Sequence, residues 1–208
     1  GLLPHFDGLT IVPSQLAGNP PRDKYREHFD MDVVIGERTC SRPIHLRLPF
    51  VFAAMSYGAI SKEGKMAFAA AAARLGTLAN TGEGGMFPGE AAIAHGYDST
   101  RAAKKAVRRW EPGGYLAVQW STGRWGVSLD YLQASDAIEI KIGQGAKPGM
   151  GGHLLGKKVT PDVAKVRGIP VGTDALSPCR HYDAPQGKDL KTQVDILRDV
   201  TAYEKPIL

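Results

Sequence analysis

The sequence predicts an α/β fold: a (β/α)8 TIM barrel, of which this chain carries only the N-terminal part, preceded by an irregular N-terminal extension. Strand-like apolar runs alternate with helix-like segments from residue 50 onward, which is typical of a parallel sheet covered by helices. Polar and glycine-rich loops follow the strands, at the end where such barrels hold their active sites. A doubly wound sheet is the competing architecture, but no G-x-G-x-x-G follows the first strand.

Two regions are predicted. Residues 1–48 form the extension, with short strands at 31–37 and 44–49, and residues 49–208 form the first half of the barrel. The barrel elements follow in chain order: strand 49–55, helix 61–76, strand and glycine-rich loop 77–85, helix 89–110 broken at Gly96, strand 115–120, helix 128–134, strand 137–143, helix 160–167, helix 188–203 and a strand beginning at 206.

Helix ends can be read from capping residues. Ser61 is a good N-cap, Gly76 a natural stop, and Thr160 with Pro161 opens a later helix.

About four strands and the start of a fifth cannot close an eight-stranded barrel. We therefore expect a fragment of a longer chain, or a second polypeptide that completes the barrel. The first residue is Gly1 rather than Met, so we expect further chain upstream.

The charge is basic, with a net value of +5 and a pI near 9.2. The densest basic cluster lies at helical spacing, as expected of a solvated helix face rather than a nucleic-acid interface. Its members are Arg101, Lys104, Lys105, Arg108 and Arg109. Excess positive charge also suits anionic substrates.

Two cysteines, Cys40 and Cys179, stand far apart without metal-ligand spacing. They predict reduced thiols in a cytoplasmic protein, with no metal bound by this chain alone. No apolar run reaches membrane-spanning length, and no signal-peptide pattern opens the chain.

Three segments carry candidate chemistry. In 53–61, a buried strand ends at Ser56, which brings that residue near any ligand in the barrel mouth; an ordinary turn is the alternative. In 79–85, glycines flank a single carboxylate, Glu83, and a flexible surface loop is the alternative.

The third segment, 138–158, places Lys141 inside an apolar strand, where an ammonium needs a partner. That partner is expected to be a flavin or a ligand carboxylate; the alternative is an ion pair within the protein, with Glu139 or with another strand's acid. The glycine-rich loop that follows holds an amide, an ammonium and an imidazole, donors that suit a dicarboxylate. These are Gln144, Lys147 and His153. Elsewhere, Arg124 and Trp125 are expected to brace a loop, and His181 to lie at the barrel mouth or on the surface.

Together these motifs resemble the FMN-binding synthase domain of glutamate synthase. The agreement covers most of 49–208 and is most specific in IKIGQGAKPGMGGHLLGKKVTPDVAKVRG at 140–168. MSYGAISKE, ANTGEGG, STGRWGV and the SP..H.D pattern of 177–183 follow the family in the same order.

The resemblance implies a (β/α)8 barrel with FMN at its mouth. In that family reduced flavin passes a hydride to 2-iminoglutarate, formed from 2-oxoglutarate and ammonia, to give L-glutamate. Ammonia comes from a glutaminase domain or subunit. Electrons come from a pyridine-nucleotide flavoprotein or ferredoxin, commonly through a [3Fe–4S] cluster, whose cysteines would lie outside this chain. The flavin phosphate loops, after strands seven and eight, would also lie outside it.

The resemblance also implies roles for individual residues. The flavin would be lined by Ala54, Met55 and Ser56 and hydrogen-bonded by Gln119 and Lys141. The oxo acid would be bound and polarised by Glu83, Gln144 and Lys147, which are the expected catalytic residues. Ser56 and His153 would complete the substrate-binding set, His153 at a position where the family has a Gln.

The chain departs from the family at three positions. Val118 stands where the family has a Lys expected near the flavin, Met150 stands where it has a Glu, and His153 stands where it has the Gln. These departures leave the substrate open. One alternative is an N-methylglutamate synthase-like subunit acting on methylamine and glutamate. Others are a non-catalytic half-barrel that assembles a complex, and a hydroxy-acid oxidase on the same fold.

Overall fold

The computed structural model describes residues 31–97, 113–187 and 189–208, together with 25, 26, 28 and 30. The chain divides between Asp30 and Met31 into two units, and every helix and strand given below lies in the unit Met31–Leu208. The predicted extension, 1–48, straddles this division, and its boundary at residue 48 stays a prediction.

From residue 50 onward the described strands and helices alternate as the sequence predicts, except for two short strands at 153–154 and 175–176 that it did not predict. The strands are β1 (Val33–Ile35), β2 (Ile44–Leu46), β3 (Leu78–Asn80), β4 (Tyr115–Trp120), β5 (Ala137–Ile140), β6 (His153–Leu154) and β7 (Ala175–Leu176). The helices are α1 (Lys62–Leu75), α2 (Glu90–Ala94), α3 (Leu129–Ala134), α4 (Pro161–Arg167) and α5 (Asp189–Val200), with a 3-10 turn at Gly156–Lys158. Residues 98–112, which hold the rest of the predicted helix 89–110 and its basic cluster, lie outside the described part of the chain.

A parallel sheet forms the centre of this α/β unit. β3 pairs with β4 and β4 with β5, all parallel and in chain order. Single parallel bridges extend the order at both edges, from Val51 to Leu78 and from Ile138 to Ile207. Five consecutive segments therefore lie side by side. Within the described residues the sheet is open and does not close into a barrel.

The first of these segments is shorter than the predicted strand 49–55. It pairs only through the Val51 bridge and a hydrogen bond from the Phe52 N–H to the Leu78 carbonyl (2.9 Å). Phe50 and Val51 are more than two-fifths exposed. A continuous apolar run is typical of a strand that is covered on both faces of the sheet. At the open edge, however, this segment has a neighbouring strand on one side only, so only part of it pairs.

The helices begin and end where the capping residues indicate. Ser61 Oγ accepts from the Gly64 N–H (3.2 Å) at the start of α1, and Gly76 ends it in the left-handed conformation, with φ of 63°. Thr160 caps α4 in the same way. The alanine face of α1 packs on the sheet through Ala69 and Ala72, which contact the buried cluster around Leu116.

The hairpin β1–β2 packs on one end of the sheet. Its buried residues Ile44 and Leu46 form a core cluster with Leu78, Ala117 and Ala137, so they contact the first residues of β3 and β5. The polar loops lie at the opposite end of the sheet, where they follow the carboxyl ends of the strands. Among the described helices, none is long and apolar enough to cross a membrane.

Candidate functional site

The residues expected to contact flavin or substrate line one cavity of about 580 Å³ at the carboxyl ends of the parallel strands. They are Ala54, Met55, Ser56, Glu83, Gln119, Lys141, Gln144, Lys147 and His153. This volume lies in the range of small-molecule sites, roughly 300–1,000 Å³. The topology explains the convergence, because each residue ends or follows a segment of the same parallel sheet.

An ion pair joins two sides of the cavity. Glu83 Oε2, in the loop after β3, lies 2.7 Å from Lys141 Nζ, just after β5. Glu83 Oε1 accepts from the Ser177 hydroxyl. Of the two alternatives for Lys141 within the protein, the partner is therefore another strand's acid and not Glu139. The lysine side chain keeps about a fifth of its surface exposed.

Gln119 and Glu139 face one another across β4 and β5. The Gln119 amide donates to the Glu139 carboxylate, and the two residues are partners in the strand register. The Tyr131 hydroxyl holds the Gln119 backbone, accepting from its N–H at 3.0 Å and donating to its carbonyl at 3.1 Å. Burial raises the pKa of Tyr131 above its usual range. The end of β4 is thus held by a neutral phenol.

A glycine brings two cavity loops together. Gly82 has a φ of +74°, and a Cβ built there would lie 2.6 Å from the Ser56 backbone nitrogen. The backbone of Met55–Ser56 therefore rests directly on the loop after β3. The Asn80 side chain fixes that loop by accepting from the Gly82 N–H at 2.9 Å.

A buried lysine ties the same two loops from beneath. Lys65, on α1 and only 2% exposed, places Nζ 3.1 Å from the Met55 carbonyl oxygen and 2.9 Å from Thr81 Oγ1. Its charge is balanced by Glu90 Oε1 at 2.9 Å. Burial lowers the pKa of Lys65, and the Glu90 carboxylate opposes this. Sequence reasoning missed this brace, although the helical spacing of Lys65 and Ala69 already places both on the buried face.

Arg167, at the end of α4, lines the cavity and is a second residue that sequence reasoning missed. It is 4% exposed, donates from Nη2 to the Tyr57 carbonyl (3.1 Å), and leaves Nε without a hydrogen-bond partner within the described residues. Burial lowers the pKa of Arg167, and the Glu83 charge opposes this shift. A basic residue in the last turn of a helix ordinarily interacts with the helix dipole, so the sequence carried no signal for this burial.

Two loop donors are available to a ligand. Across the part of the chain that the structure covers, neither the Lys147 ammonium nor the Gln144 side-chain amide has a hydrogen-bond or ion-pair partner. Gly152 leaves room for the side chains of Gln144 and Glu83 to lie against its backbone. A Cβ at this glycine would lie 2.9 Å from Gln144 Nε2 and 3.0 Å from Glu83 Oε2. The cavity thus combines one neutralised ion pair with uncommitted cationic and amide donors.

His153 lines the cavity from β6, a strand that the sequence did not predict. Its Nε2 lies 2.9 Å from Asp174 Oδ2, and Asp174 Oδ1 accepts from the Gly156 N–H at 2.6 Å. These two hydrogen bonds lower the pKa of Asp174. β6 pairs antiparallel with β7, which brings residues from two loops to one edge of the cavity.

His181 is buried at the mouth of the sheet and does not lie on the surface. Its Nε2 lies 2.7 Å from the Lys141 carbonyl oxygen, and its Nδ1 lies 3.2 Å from Arg124 Nη2. Arg124 also pairs with Asp183 (3.0 Å) and stacks on Trp120, with 4.0 Å from Cζ to the ring centroid. Arg124 therefore braces the loops, as expected, and holds His181 against the backbone of Lys141.

Val118 does not line the cavity. It is fully buried in the cluster with Tyr131 and Ile138, on the face of β4 opposite to Gln119. The expectation that its change from Lys removes a cation beside the flavin is therefore wrong for this geometry. Adjacent strand residues point to opposite faces, so the replacement alters core packing.

Metal ligation has no candidate among the residues that the structure describes. No group of three His, Cys, Asp or Glu side chains there could hold an ion. Cys40 and Cys179 are both free thiols.

Comparison with known proteins shows a family similarity that covers more of the chain than the resemblance noted for residues 49–208. Residues 15–208 match the family described as the conserved region in glutamate synthase. The archaeal-type glutamate synthase [NADPH] of Thermotoga neapolitana is 39% identical, and the archaeal glutamate synthase [NADPH] of Archaeoglobus fulgidus 42%; each alignment covers 98% of this chain and 40% of the relative. A glutamate synthase large subunit-like protein of Rhizobium meliloti is 39% identical over 99% of this chain and 42% of the relative.

The chain thus spans about two-fifths of the length of these curated relatives. The motifs that converge on the cavity all fall inside the matched region. The chain belongs to the glutamate synthase family.

Proposed function

We propose that this chain supplies the substrate- and flavin-facing wall of an FMN-dependent oxidoreductase that makes L-glutamate from 2-oxoglutarate through 2-iminoglutarate. The observation that carries the proposal is the cavity itself, where Lys147 and Gln144 have no side-chain partner among the described residues and lie beside the Glu83–Lys141 ion pair. A site that presents unpaired cationic and amide donors fits a dicarboxylate.

The cavity fits the ring end of FMN in the chemistry of its donors. Lys141 and the Met55–Ser56 backbone offer donors on neighbouring walls, and Gly82 keeps side chains out of the space beneath that backbone. A cation beside a flavin favours its reduced, anionic form. When bound, the flavin would supply hydride transfer. In this proposal Ala54, Met55 and Ser56 line the ring, while Gln119 and Lys141 donate hydrogen bonds to it.

The substrate would be held by the remaining donors. Lys147 and Gln144 would bind and polarise the oxo group, and the guanidinium of Arg167, which lines the cavity, would take part in binding a carboxylate. Glu83 would fix the Lys141 ammonium and, with Ser56 and His153, complete the substrate wall. The buried guanidinium is the strongest of these donors for a planar carboxylate.

The rest of the machinery would lie in other domains or subunits. We propose that further strands complete a (β/α)8 barrel, that a [3Fe–4S] cluster is held outside this chain, and that a glutaminase supplies ammonia. Two of the relatives are named as NADPH-dependent glutamate synthases, so a pyridine-nucleotide flavoprotein is the favoured electron donor over a ferredoxin. The expected compartment is the cytoplasm.

A second candidate is an N-methylglutamate synthase-like activity on methylamine and glutamate. It is favoured by His153, which is paired with Asp174 at the cavity edge, and by Met150, which is 60% exposed in the same loop. These two residues change the polarity of the substrate loop relative to the family pattern. A non-catalytic scaffold would leave the unpaired Lys147 and Gln144 unexplained.

The test uses the native assembly that contains this chain. Its visible absorption spectrum should show oxidised-flavin bands, and heating should release FMN. Amino-acid products are then measured from 2-oxoglutarate with glutamine or ammonium, and from glutamate with methylamine. Glutamate from the first set supports the main proposal, and N-methylglutamate from the second supports the alternative. A colourless assembly that does not take up FMN would overturn both.

A further inference from the structure

A histidine–carboxylate pair stands at the cavity edge, apart from the Glu83–Lys141 ion pair. His153 belongs to β6 and Asp174 immediately precedes β7, and their side chains meet with Nε2 2.9 Å from Oδ2. The antiparallel pairing of His153 with Leu176 holds the two segments in register. The pair is therefore set by backbone structure on both sides.

The carboxylate fixes which ring nitrogen carries the proton. An ionised Asp174 only accepts hydrogen bonds, so Nε2 of His153 must be the donor, and the neutral ring then has a free lone pair on Nδ1. The Gly156 N–H holds Asp174 Oδ1 at 2.6 Å and keeps the carboxylate from turning away. Both hydrogen bonds lower the pKa of Asp174, which keeps it ionised.

The residue that carries this free nitrogen is one of those that line the cavity. His153 lines the same cavity as Lys147 and Gln144, and within the described residues its Nδ1 has no hydrogen-bond partner. Gly152, the preceding residue, lies against the Gln144 amide and the Glu83 carboxylate. A base with a fixed tautomer thus stands next to the donors assigned to the oxo group.

We propose that His153, oriented by Asp174, is the proton-transfer residue that converts an oxo acid and ammonium into the imine in this cavity. The inference rests on the proposed function, because it concerns the carbon–nitrogen bond that forms before reduction.

The step balances without an outside oxidant or reductant. Nδ1 of His153 takes one proton from the ammonium ion, and the freed nitrogen lone pair forms a bond to C2 of the oxo acid. A proton shifts from nitrogen to oxygen to give the carbinolamine. The imidazolium then returns its proton to the hydroxyl group, the C–O bond breaks, water leaves with the bonding electrons, and the C=N bond forms. The sum is oxo acid plus ammonium giving iminium ion plus water.

The test follows this step without flavin reduction. The native assembly, kept oxidised, is given 2-oxoglutarate labelled with oxygen-18 at C2, with and without ammonium chloride. Reversible imine formation releases the label to water, so the ammonium-dependent loss of label reports the proposed step. Binding of unlabelled 2-oxoglutarate is measured separately by calorimetry.

The informative variant is His153→Gln, whose amide keeps an N–H donor for Asp174 but cannot carry a proton. We expect ammonium-dependent exchange to fall by about 100-fold, within the usual contribution of general acid–base catalysis. The Kd for 2-oxoglutarate should stay within about threefold, a change worth less than 1 kcal/mol. Asp174→Asn, which offers an N–H to Nε2 and favours the other tautomer, should slow exchange in the same way. His45→Gln, the same change at an exposed histidine in β2, is the matched control.

Two results would overturn the inference: wild-type exchange in His153→Gln, or a loss of exchange that only follows a loss of 2-oxoglutarate binding. A wild-type assembly that binds 2-oxoglutarate but shows no ammonium-dependent exchange would also overturn it. In contrast, an assembly that exchanges the label but never reduces the imine would leave this inference standing and remove the proposed synthase activity.

Discussion

Glu83 and Lys141 stand 58 positions apart in the sequence and meet at 2.7 Å across the cavity. Each follows a strand of the same parallel sheet, with β4 between those strands. The pair therefore spans the central strand and links the acid of one loop to the cation of another. The assigned flavin and substrate donors lie around it.

The first prediction concerns the charge beside the flavin. Lys141→Met should lower the midpoint potential of the bound flavin, since it removes a cation that stabilises the reduced anion. Glu83→Gln should raise it, because the lysine charge is then no longer neutralised. Potentials are measured by dye-coupled titration of the native assembly. Lys141→Arg keeps the charge and is the control; equal potentials in all variants would contradict the assignment.

The second prediction concerns the unpaired loop ammonium. Lys147→Ala should abolish amino-acid formation while leaving flavin content nearly unchanged, because Lys147 is assigned to the substrate and not to the ring. Product is followed by chromatography and flavin by absorbance. Lys157→Ala, at an exposed lysine outside the cavity, is the comparison. Unaltered turnover in Lys147→Ala would remove its assigned role.

The third prediction concerns the buried arginine. Arg167→Lys should raise the Kd for 2-oxoglutarate by about 10- to 100-fold, the cost of losing one charge-assisted hydrogen bond. Calorimetry on the native assembly provides the value. Arg38→Lys, at an exposed arginine in the turn after β1, should bind as wild type does. A Kd within twofold of wild type would show that Arg167 only packs the wall.

The fourth prediction concerns the lysine beneath the two loops. Lys65→Met should reduce the free energy of unfolding by about 3–5 kcal/mol, because Glu90 is left charged and buried without its partner. Urea denaturation measures the change. Adding Glu90→Gln should recover part of the loss, and Lys62→Met, exposed on the same helix, should cost little. If the double variant is no better than the single one, the ion pair is not the source of stability.

The fifth prediction concerns the close approach of the two loops. Gly82→Ala adds a Cβ 2.6 Å from the Ser56 backbone nitrogen at a φ of +74°. The left-handed backbone alone costs about 1–2 kcal/mol, and displacement of Ser56 should also lower flavin content. Gly172→Ala is the matched control, since this glycine has a similar φ of +77°, a Cβ there has no neighbour within 4 Å, and the residue does not line the cavity. Equal stability and flavin content in the two variants would contradict this account.

Much of the fold was predictable because its signals are local. Ser61, Gly76, Thr160 and Pro161 mark helix ends through hydrogen bonds and backbone angles within a few residues. The strands 115–120 and 137–143 were recognisable as apolar runs, although β5 ends at Ile140. The strand 49–55 was predicted too long, because pairing at an edge depends on a neighbour and not on the run itself.

The site was predictable where glycine-rich loops concentrate donors, as for Gln144, Lys147 and His153. It was not predictable where a side chain acts by reaching another segment. The partner of Lys141, the burial of Arg167 and the contact of His153 with Asp174 each join residues far apart in sequence. Val118 was misjudged, although strand alternation already placed it opposite Gln119.

By itself, then, the sequence determined the family, the order of the parallel strands and the donors at the strand ends. These features depend on composition, on helix-capping residues and on hydrophobic periodicity, which are local and involve residues within one turn or one strand. Only the tertiary structure decided which charges neutralise each other and which stay available to a ligand. That outcome depends on distances between loops, and those distances arise when the strands align in one parallel sheet and carry their carboxyl ends to the same side.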